Sequence, residues 1–429
     1  MRWIDINLSE TNICQEAEAL MADAERLAEK IIGIQARDGL DNRSVVDQMQ
    51  EAGRNLFKAV LRVDQEAFHV DEDRPGSITP EVCLKEPDEL TGYHITTDDR
   101  YIHLPWNWLH NGLEFLTVKN PVCVSTEPSR PPEGEAERPW MQRMVRADFL
   151  VGEGGSTSLK SVLSQMKEQQ PRGPEVLFVP GHTEEAIRRL IYREAEAIEL
   201  ALDSPILTEP LARLEIPGEA LTPSQLPELG LTYQAIHFAG PTSQPARPTD
   251  VEGEFWINRL VEEATTAADG EMEKTVGLEG EVLGVDPITS LLDDVGQKAH
   301  HAGREEPAPT SDSGHNWLLP DGPVGPEGIS RTGGLPPLVF SNSYCALPDL
   351  GPRFTNAGAS TFIGPQVPLF SRPARIFAGY CYKAMGEGWC AGAAVWKASQ
   401  ACRRELGEDH PAWLSYGLHG YGSLALQYL

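Results

Sequence analysis

Two residues of this chain, His237 and Cys345, are of the types that nucleophilic catalysis needs. A cysteine peptidase requires a thiolate produced by a nearby imidazole, and in α/β folds the two groups sit at adjacent strand ends. His237 lies in a predicted strand at 233–238, and Cys345 follows a predicted strand at 337–340. Because His237 precedes its strand end, a second interpretation stays open: a buried histidine hydrogen-bonded within the sheet, with Cys345 an inert thiol.

Motifs for other kinds of chemistry are missing. The glycine-rich stretch at 152–157 lacks the GK[ST] ending of a phosphate-binding loop, and the chain has neither a GxSxG nor an HExxH motif. His300 and His301 are adjacent, so their imidazoles cannot share one helix face as two zinc ligands would. The seven cysteines are scattered without a CxxC pair. We therefore expect no metal site and no cofactor, and reduced thiols as in a cytoplasm.

Short apolar strands alternate with amphipathic helices along much of the chain, which predicts a doubly wound, mostly parallel sheet with helices on both faces. The acidic residues Glu194, Glu196 and Glu199 are expected on the solvent-exposed face of their helix. The predicted strands are 2–8, 101–110, 115–118, 122–124, 147–151, 175–179, 233–238, 337–340 and 360–363, and the predicted helices are 12–34, 44–62, 156–168, 184–202, 372–385 and 391–406.

The pattern divides the chain into an N-terminal α/β portion, 1–140, and a core, 141–429. The core is interrupted at about 250–312 by an acidic insertion. Residues 251–310 hold 14 acidic and 4 basic side chains, a local charge of −10. With few apolar residues for its length, this segment is expected to protrude rather than to form a core of its own.

The whole chain is strongly acidic: 64 acidic and 36 basic residues give a net charge of −28 over 429 residues. Such a surface repels phosphate backbones and anionic lipid, which argues against nucleic-acid and membrane binding and favours basic protein partners. No run of about 18 apolar residues is present, and the first residues lack the apolar stretch of a secretion signal. These features predict a cytoplasmic globular protein.

Several segments in order resemble the CHAT family, caspase-like peptidases related in fold to caspases and separases. The resemblance runs from about residue 44 to the C-terminus. The segment 101–110 resembles the family's "lPWElL", 235–240 resembles "hvHFaGHG", 317–322 resembles a short "L.L.dG" hairpin, 337–342 resembles "LVfLNAC", and 416–424 resembles "yvLyGdP.l". Each motif is short, but their order and spacing together imply a caspase-like fold.

The family's two catalytic positions hold other residues in this chain. The general base is the second His of "HFaGHG", where this sequence has Pro241, and the nucleophile is the Cys of "LNAC", where it has Tyr344. Proline has no titratable group, and a tyrosine phenol is a poor acyl-transfer nucleophile near neutral pH without an activating base. His237 matches the family's first His, and Cys345 lies one residue beyond the nucleophile position.

Two functions follow from this comparison. The first is a pseudopeptidase that binds protein, as a scaffold or a regulatory subunit, with an active peptidase or its substrate as the partner. The resemblance implies a prokaryotic protein-cleavage or defence pathway. The second is an active cysteine endopeptidase with a displaced dyad of Cys345 and His237. A local bulge after the strand would bring Cys345 into the nucleophile's position, but it would not restore the base at position 241.

Overall fold

The protein is represented by a computed structural model. It describes residues 2–8, 13–35, 42–63, 69–70, 78–79, 91–126, 175–181, 185–203, 213–217, 221, 225–226, 233–243, 315–319, 322–330, 335–343, 345–367 and 371–426. The predicted strand 147–151, the predicted helix 156–168, the acidic segment 251–310 and Tyr344 lie outside these residues.

A nine-stranded sheet forms the centre of the fold. Its strands, in order across the sheet, are β1 (Arg2–Leu8), β4 (Thr91–Thr97), β5 (Val122–Ser125), β14 (Tyr416–Gly420), β13 (Thr361–Pro365), β12 (Leu338–Asn342), β8 (Ala235–Ala239), β6 (Glu175–Pro180) and β7 (Arg213–Glu215). Neighbours are parallel except β13 and β14, which are antiparallel. Two parallel blocks of opposite direction therefore meet at that pair.

Smaller strands lie outside this sheet. The strands β9 (Thr242–Ser243), β10 (Asn316–Leu319) and β11 (Gly322–Val324) form a three-stranded antiparallel sheet, and β2 (His69–Val70) pairs with β3 (Ile78–Thr79). The hairpin that the family resemblance implied at 317–322 is thus present as β10 and β11.

Helices pack on both faces of the large sheet. On one face, the apolar side chains of α5 (Ala346–Asn356) pack in one cluster with Ile236, Phe238 and Val339. On the other face, α3 (Glu185–Leu202) and α6 (Ser371–Gly386) lie over a larger apolar core that includes Phe178 and Phe340. The described helices are α1 (Gln15–Gln35), α2 (Asn42–Val63), α3 (Glu185–Leu202), α4 (Pro326–Ser330), α5 (Ala346–Asn356), α6 (Ser371–Gly386), α7 (Ala391–Leu406) and α8 (Ala412–Ser415). The predicted mostly parallel α/β class, consistent with a caspase-like fold, is confirmed.

The N-terminal portion contains the main errors of the sequence prediction. The segment 101–110, predicted as a strand, forms turns and a short 3-10 helix at Trp106–Trp108, because Pro105 lacks the N–H that a sheet ladder needs. The segment 115–118, also predicted as a strand, contains a 3-10 helix at Leu116–Val118. The strand β4, which was not predicted, pairs with both β1 and β5.

Candidate functional site

The carboxyl ends of β8 and β12 lie side by side, as the family's Cys–His geometry predicted. The two strands are parallel neighbours, with Phe238 opposite Ser341 and Ala239 opposite Asn342. The side chains alternate along both strands, so that His237 and Asn342 lie on one face of the sheet and Phe238 and Ser341 lie on the other. The strand pairing therefore places two strand ends side by side: that of β8, with His237 and Pro241, and that of β12, which Cys345 follows.

Pro241, which the CHAT resemblance aligns with the general base, is half-buried just after β8. Its carbonyl accepts a hydrogen bond of 3.2 Å from the N–H of Leu318 in β10. The preceding Gly240 lies so close to Gly181 that a Cβ atom added to Gly240 would be 2.6 Å from the Cα of Gly181. The rim of the sheet is thus built here from tightly packed backbone, with no ionisable group on the residue at this position.

Cys345 is buried, with 1% of its surface exposed, at the turn between β12 and α5. Its backbone has φ 45° and ψ 43°, and among the described residues it is the one non-glycine with a positive φ. A left-handed conformation costs a residue with a Cβ atom on the order of 1 kcal/mol. The surrounding fold must therefore enforce this sharp turn, which places the Cys345 side chain in the larger apolar core. The preceding Tyr344 lies outside the described residues.

His237 is fully buried and lies between two aromatic rings of the neighbouring strands. The ring of Phe178 on β6 is stacked at a centroid distance of 5.2 Å, and that of Phe340 on β12 at 4.5 Å. Both phenylalanines occupy the positions opposite His237 in the strand register. The imidazole plane is therefore fixed by packing, and only its edges face polar partners.

Both ring nitrogens of His237 have such partners. Nε2 lies 2.6 Å from Oε1 of Glu194 on α3, and Nδ1 lies 3.2 Å from the hydroxyl of Tyr382 on α6. A buried carboxylate is stabilised by a paired imidazolium, or by the N–H of the neutral ring. Burial, followed by the neighbouring Cys381 and Glu194, raises the pKa of Tyr382 well above its usual range, so this phenol stays protonated.

The network extends to two further strands. Asn342 at the end of β12 donates a 2.8 Å hydrogen bond from Nδ2 to Glu194 Oε1, and its Oδ1 accepts one from the hydroxyl of Tyr416 on β14. One carboxylate oxygen therefore joins α3 to both β8 and β12. This arrangement can lock the strand ends to the helices above them.

The position of Glu194 corrects a prediction. It was expected on the exposed face of its helix with Glu196 and Glu199, but it is only 2% exposed, whereas the other two are exposed. The spacing carried the signal, because Glu194 follows Ile191 by three residues and precedes Ile198 by four, and both isoleucines are buried. An acidic residue on an apolar stripe indicates a buried partner, which here is His237.

The opposite face at the same strand ends carries a neutral hydrogen-bond chain. Trp317 donates from Nε1 to Ser341 Oγ at 3.0 Å, and Ser341 Oγ lies 2.9 Å from Ser343 Oγ. The ring of Trp317 stacks on Phe238 at 4.5 Å. These contacts attach the small β9–β10–β11 sheet to the strand ends. The hydroxyls of Ser341 and Ser343 are hydrogen-bonded to each other, and no described contact joins either of them to a histidine.

The described residues show no sign of two other classes of site. They contain no group of three or more His, Cys, Asp or Glu side chains arranged to hold a metal ion. Within the same part of the chain, no helix is long and apolar enough to cross a membrane.

No protein-family model matches the chain, and no curated protein matches its sequence. Among solved structures, it is similar to the separase–securin complex of Saccharomyces cerevisiae, with a TM-score of 0.35 and 9% sequence identity. The match covers 95% of this chain and 22% of the matched chain, so this chain spans less than a quarter of that protein's length. The mostly parallel α/β class follows from the sheet topology itself.

Proposed function

We propose that this protein is a catalytically inactive, caspase-like member of the CHAT family that acts by binding another protein, as a scaffold or regulatory subunit. The observation that carries the proposal is the state of His237: it is fully buried, and both ring nitrogens are engaged, one by Glu194 and one by Tyr382. A general base must offer a free nitrogen to the nucleophile. With Pro241 at the family's base position, the described residues of this strand end offer no unengaged imidazole that could activate a thiol.

The partner that fits this chain is a protein with a basic surface. A net charge of −28 attracts such a surface at long range and raises the rate of encounter. The family resemblance suggests an active peptidase or its substrate, in a prokaryotic protein-cleavage or defence pathway. Among the described cysteines, Cys14, Cys381 and Cys402 are free thiols, which is consistent with a reducing cytoplasm.

A second candidate function is a cysteine endopeptidase using Cys345 and His237. The observation in its favour is the strand-to-helix turn at Cys345, whose strained backbone is of a kind often found at active sites. Against it stand the burial of both residues and the occupied nitrogens of His237.

The deciding experiment measures cleavage by the unaltered protein, offered mixed peptide libraries and candidate partner proteins. We expect no turnover that depends on Cys345. The control is Cys345→Ala, compared with Cys14→Ala, which removes an exposed thiol remote in sequence from the strand ends. Cleavage that disappears in Cys345→Ala and persists in Cys14→Ala would contradict the proposal and establish the endopeptidase.

A restoration experiment tests the assignment of the two degenerate positions. Pro241→His and Tyr344→Cys together are expected to increase labelling by a thiol-directed peptidase probe, whereas either change alone is not, since nucleophile and base act as a unit. Equal labelling by the single Tyr344→Cys variant would show that position 241 is not where the base belongs.

A further inference from the structure

The turn that joins His110 to Phe115 contains the only Asn-Gly dipeptide of the sequence, Asn111-Gly112. His110 and Phe115 form an isolated antiparallel bridge, and the N–H of Asn111 donates to the carbonyl of Glu114 at 3.1 Å. Gly112 has φ 98°, in the left-handed region that a residue without a Cβ atom enters freely. The turn therefore holds the backbone nitrogen of Gly112 in one place, next to two polar side chains.

The first of these side chains, that of His110, accepts a hydrogen bond from the N–H of Gly112. Its Nδ1 lies 2.9 Å from that backbone nitrogen. Because a backbone N–H can only donate, Nδ1 is the unprotonated nitrogen of the ring, and Nε2 carries the proton. Nε2 lies 2.9 Å from the side-chain amide of Gln50, which accepts through its oxygen once the amide is rotated. His110 thus points its basic nitrogen at a backbone N–H.

The surroundings of His110 keep its ring neutral and fixed. Burial, followed by the charge of Arg54, lowers the pKa of His110 to about 4, and the ring's own backbone and Glu114 oppose this shift only partly. The side chain is 2% exposed, and the ring meets Phe115 edge-on at a centroid distance of 4.9 Å. At neutral pH the imidazole is therefore free of a proton on Nδ1 and able to take one.

The second side chain, that of Asn111, has its carbonyl oxygen in a pair of hydrogen bonds. Oδ1 accepts from the backbone N–H groups of Leu113 and Glu114, both at 2.9 Å. When a nucleophile adds to the carbon of such a carbonyl, the oxygen becomes negatively charged. Two N–H donors already in place stabilise that charge, as the donors of an oxyanion hole do.

We propose that Asn111 is a site of self-catalysed deamidation, with His110 as the general base. His110 Nδ1 takes the proton of the Gly112 N–H while this nitrogen forms a bond to Cγ of Asn111. The bond between Cγ and Nδ2 then breaks, and the leaving nitrogen takes the proton from His110 and departs as ammonia. Water opens the resulting cyclic imide. Cleavage of one or the other imide C–N bond leaves aspartate or isoaspartate at position 111.

The product changes a turn next to the segment that contacts α8. Either product adds a negative charge near Glu114, whose carboxylate pairs with Lys119. Isoaspartate also adds a carbon to the backbone of the turn. This turn follows the 3-10 segment Trp106–Trp108, where Trp108 donates from Nε1 to the carbonyl of Leu414 at 2.7 Å. The site is distinct from the strand ends of β8 and β12 and does not depend on the function proposed there.

The experiment compares the folded protein with the same chain unfolded in guanidinium chloride, both incubated at neutral pH. Mass spectrometry of the proteolytic peptide that contains residue 111 measures the conversion of amide to acid, and electron-transfer fragmentation separates aspartate from isoaspartate. We expect conversion about tenfold faster in the folded protein. This is less than the roughly 10²-fold or more of a typical general base, because the ordered turn must bend for the two atoms to meet. Conversion no faster than in the unfolded chain would overturn the proposal.

A variant separates the base from a purely structural role of the same side chain. In His110→Gln the new amide can accept the hydrogen bond but is not basic, so conversion in the folded variant should fall to the rate of its unfolded chain. If His110 only stiffened the turn, the loosened variant would convert as fast as the parent or faster, and this would overturn the proposal. The matched control is His103→Gln, which removes an imidazole that pairs with Glu25 instead and should convert at the parent's rate.

Discussion

His237 and His419 are both fully buried imidazoles in the same sheet, yet their surroundings are opposite. His237 lies in the parallel block that contains β6, β8 and β12, with a carboxylate on one nitrogen and a phenol on the other. His419 lies in the block that contains β5 and β14, and neither of its nitrogens has a partner among the described residues. Burial lowers the pKa of His419 to about 3.

Burial alone therefore does not decide what a histidine does. Beside Glu194, an imidazole is hydrogen-bonded to a buried carboxylate and becomes part of the scaffold of the sheet. His419 has no carboxylate partner among the described residues, and burial keeps its imidazole neutral. Three predictions test this contrast, in order of decreasing effect.

Glu194→Gln should cause the largest loss of stability. The substitution keeps the shape of the side chain but removes the charge that pairs with His237, and breaking a buried pair by changing one partner typically costs about 3–5 kcal/mol. The measurement is urea-induced unfolding at neutral pH. The control is Glu199→Gln on the exposed face of the same helix, which should stay within about 0.5 kcal/mol of the parent. Equal midpoints for the two variants would contradict the role assigned to Glu194.

His419 should make the protein lose stability as the pH falls. The pKa of about 3 in the folded state lies below the ordinary value of 6.5, so the unfolded state takes up a proton first. The contribution is fully present above pH 6.5 and falls by about 1.4 kcal/mol per pH unit below it, or roughly 2 kcal/mol by pH 5. The measurement is the free energy of unfolding between pH 7 and 5 for the parent and for His419→Gln.

The parent and the variant share the contributions of other groups in that range. Burial also lowers the pKa of His110, to about 4, and that of His410. These contributions cancel in the difference between the two proteins, so the variant should show a shallower slope. Identical slopes would show that His419 gains a partner that neutralises the penalty of its charge.

Tyr382→Phe should have the smallest effect. It removes the hydroxyl that faces His237 Nδ1, and a typical intramolecular hydrogen bond contributes about 0.5–1.5 kcal/mol. Tyr380→Phe is the matched control two residues earlier on α6, where the hydroxyl meets Glu405 on the surface. We expect it to cost less than about 0.5 kcal/mol. A larger effect of Tyr380→Phe than of Tyr382→Phe, measured by urea unfolding, would reverse the ranking of buried and exposed contacts.

Periodicity predicted the core of this fold well because each core strand is a short apolar run beside an amphipathic helix. The strands at 175–180, 235–239, 338–342 and 361–365 and the helices at 185–202, 371–386 and 391–406 match the predicted elements within a few residues. The strand Thr91–Thr97 was missed because its threonines, glycine and histidine do not form an apolar run, although most of it is buried.

The candidate site was predicted only in part. The motifs located His237, Pro241 and the adjacent strand ends, because these positions follow from order along the chain. The partners Glu194, Tyr382 and Tyr416 come from two helices and a distant strand, and only the three-dimensional fold brings them to His237 and Asn342. The charge of Glu194 favours an exposed helix face, whereas its spacing from Ile191 and Ile198 indicates the buried face on which it lies.

The position of β14 has a consequence for how the sheet assembles. This strand, near the end of the described chain, lies between β5 and β13, so in the strand pairing of the described residues β1, β4 and β5 reach the other block only through residues 416–420. Contacts between residues about 290 positions apart must therefore form before the two blocks become one sheet, and loop closure over such distances is slow. During synthesis on the ribosome, the block containing β6, β8, β12 and β13 can pair as it emerges, while β5 exposes an unpaired edge until the strand at 416–420 is made.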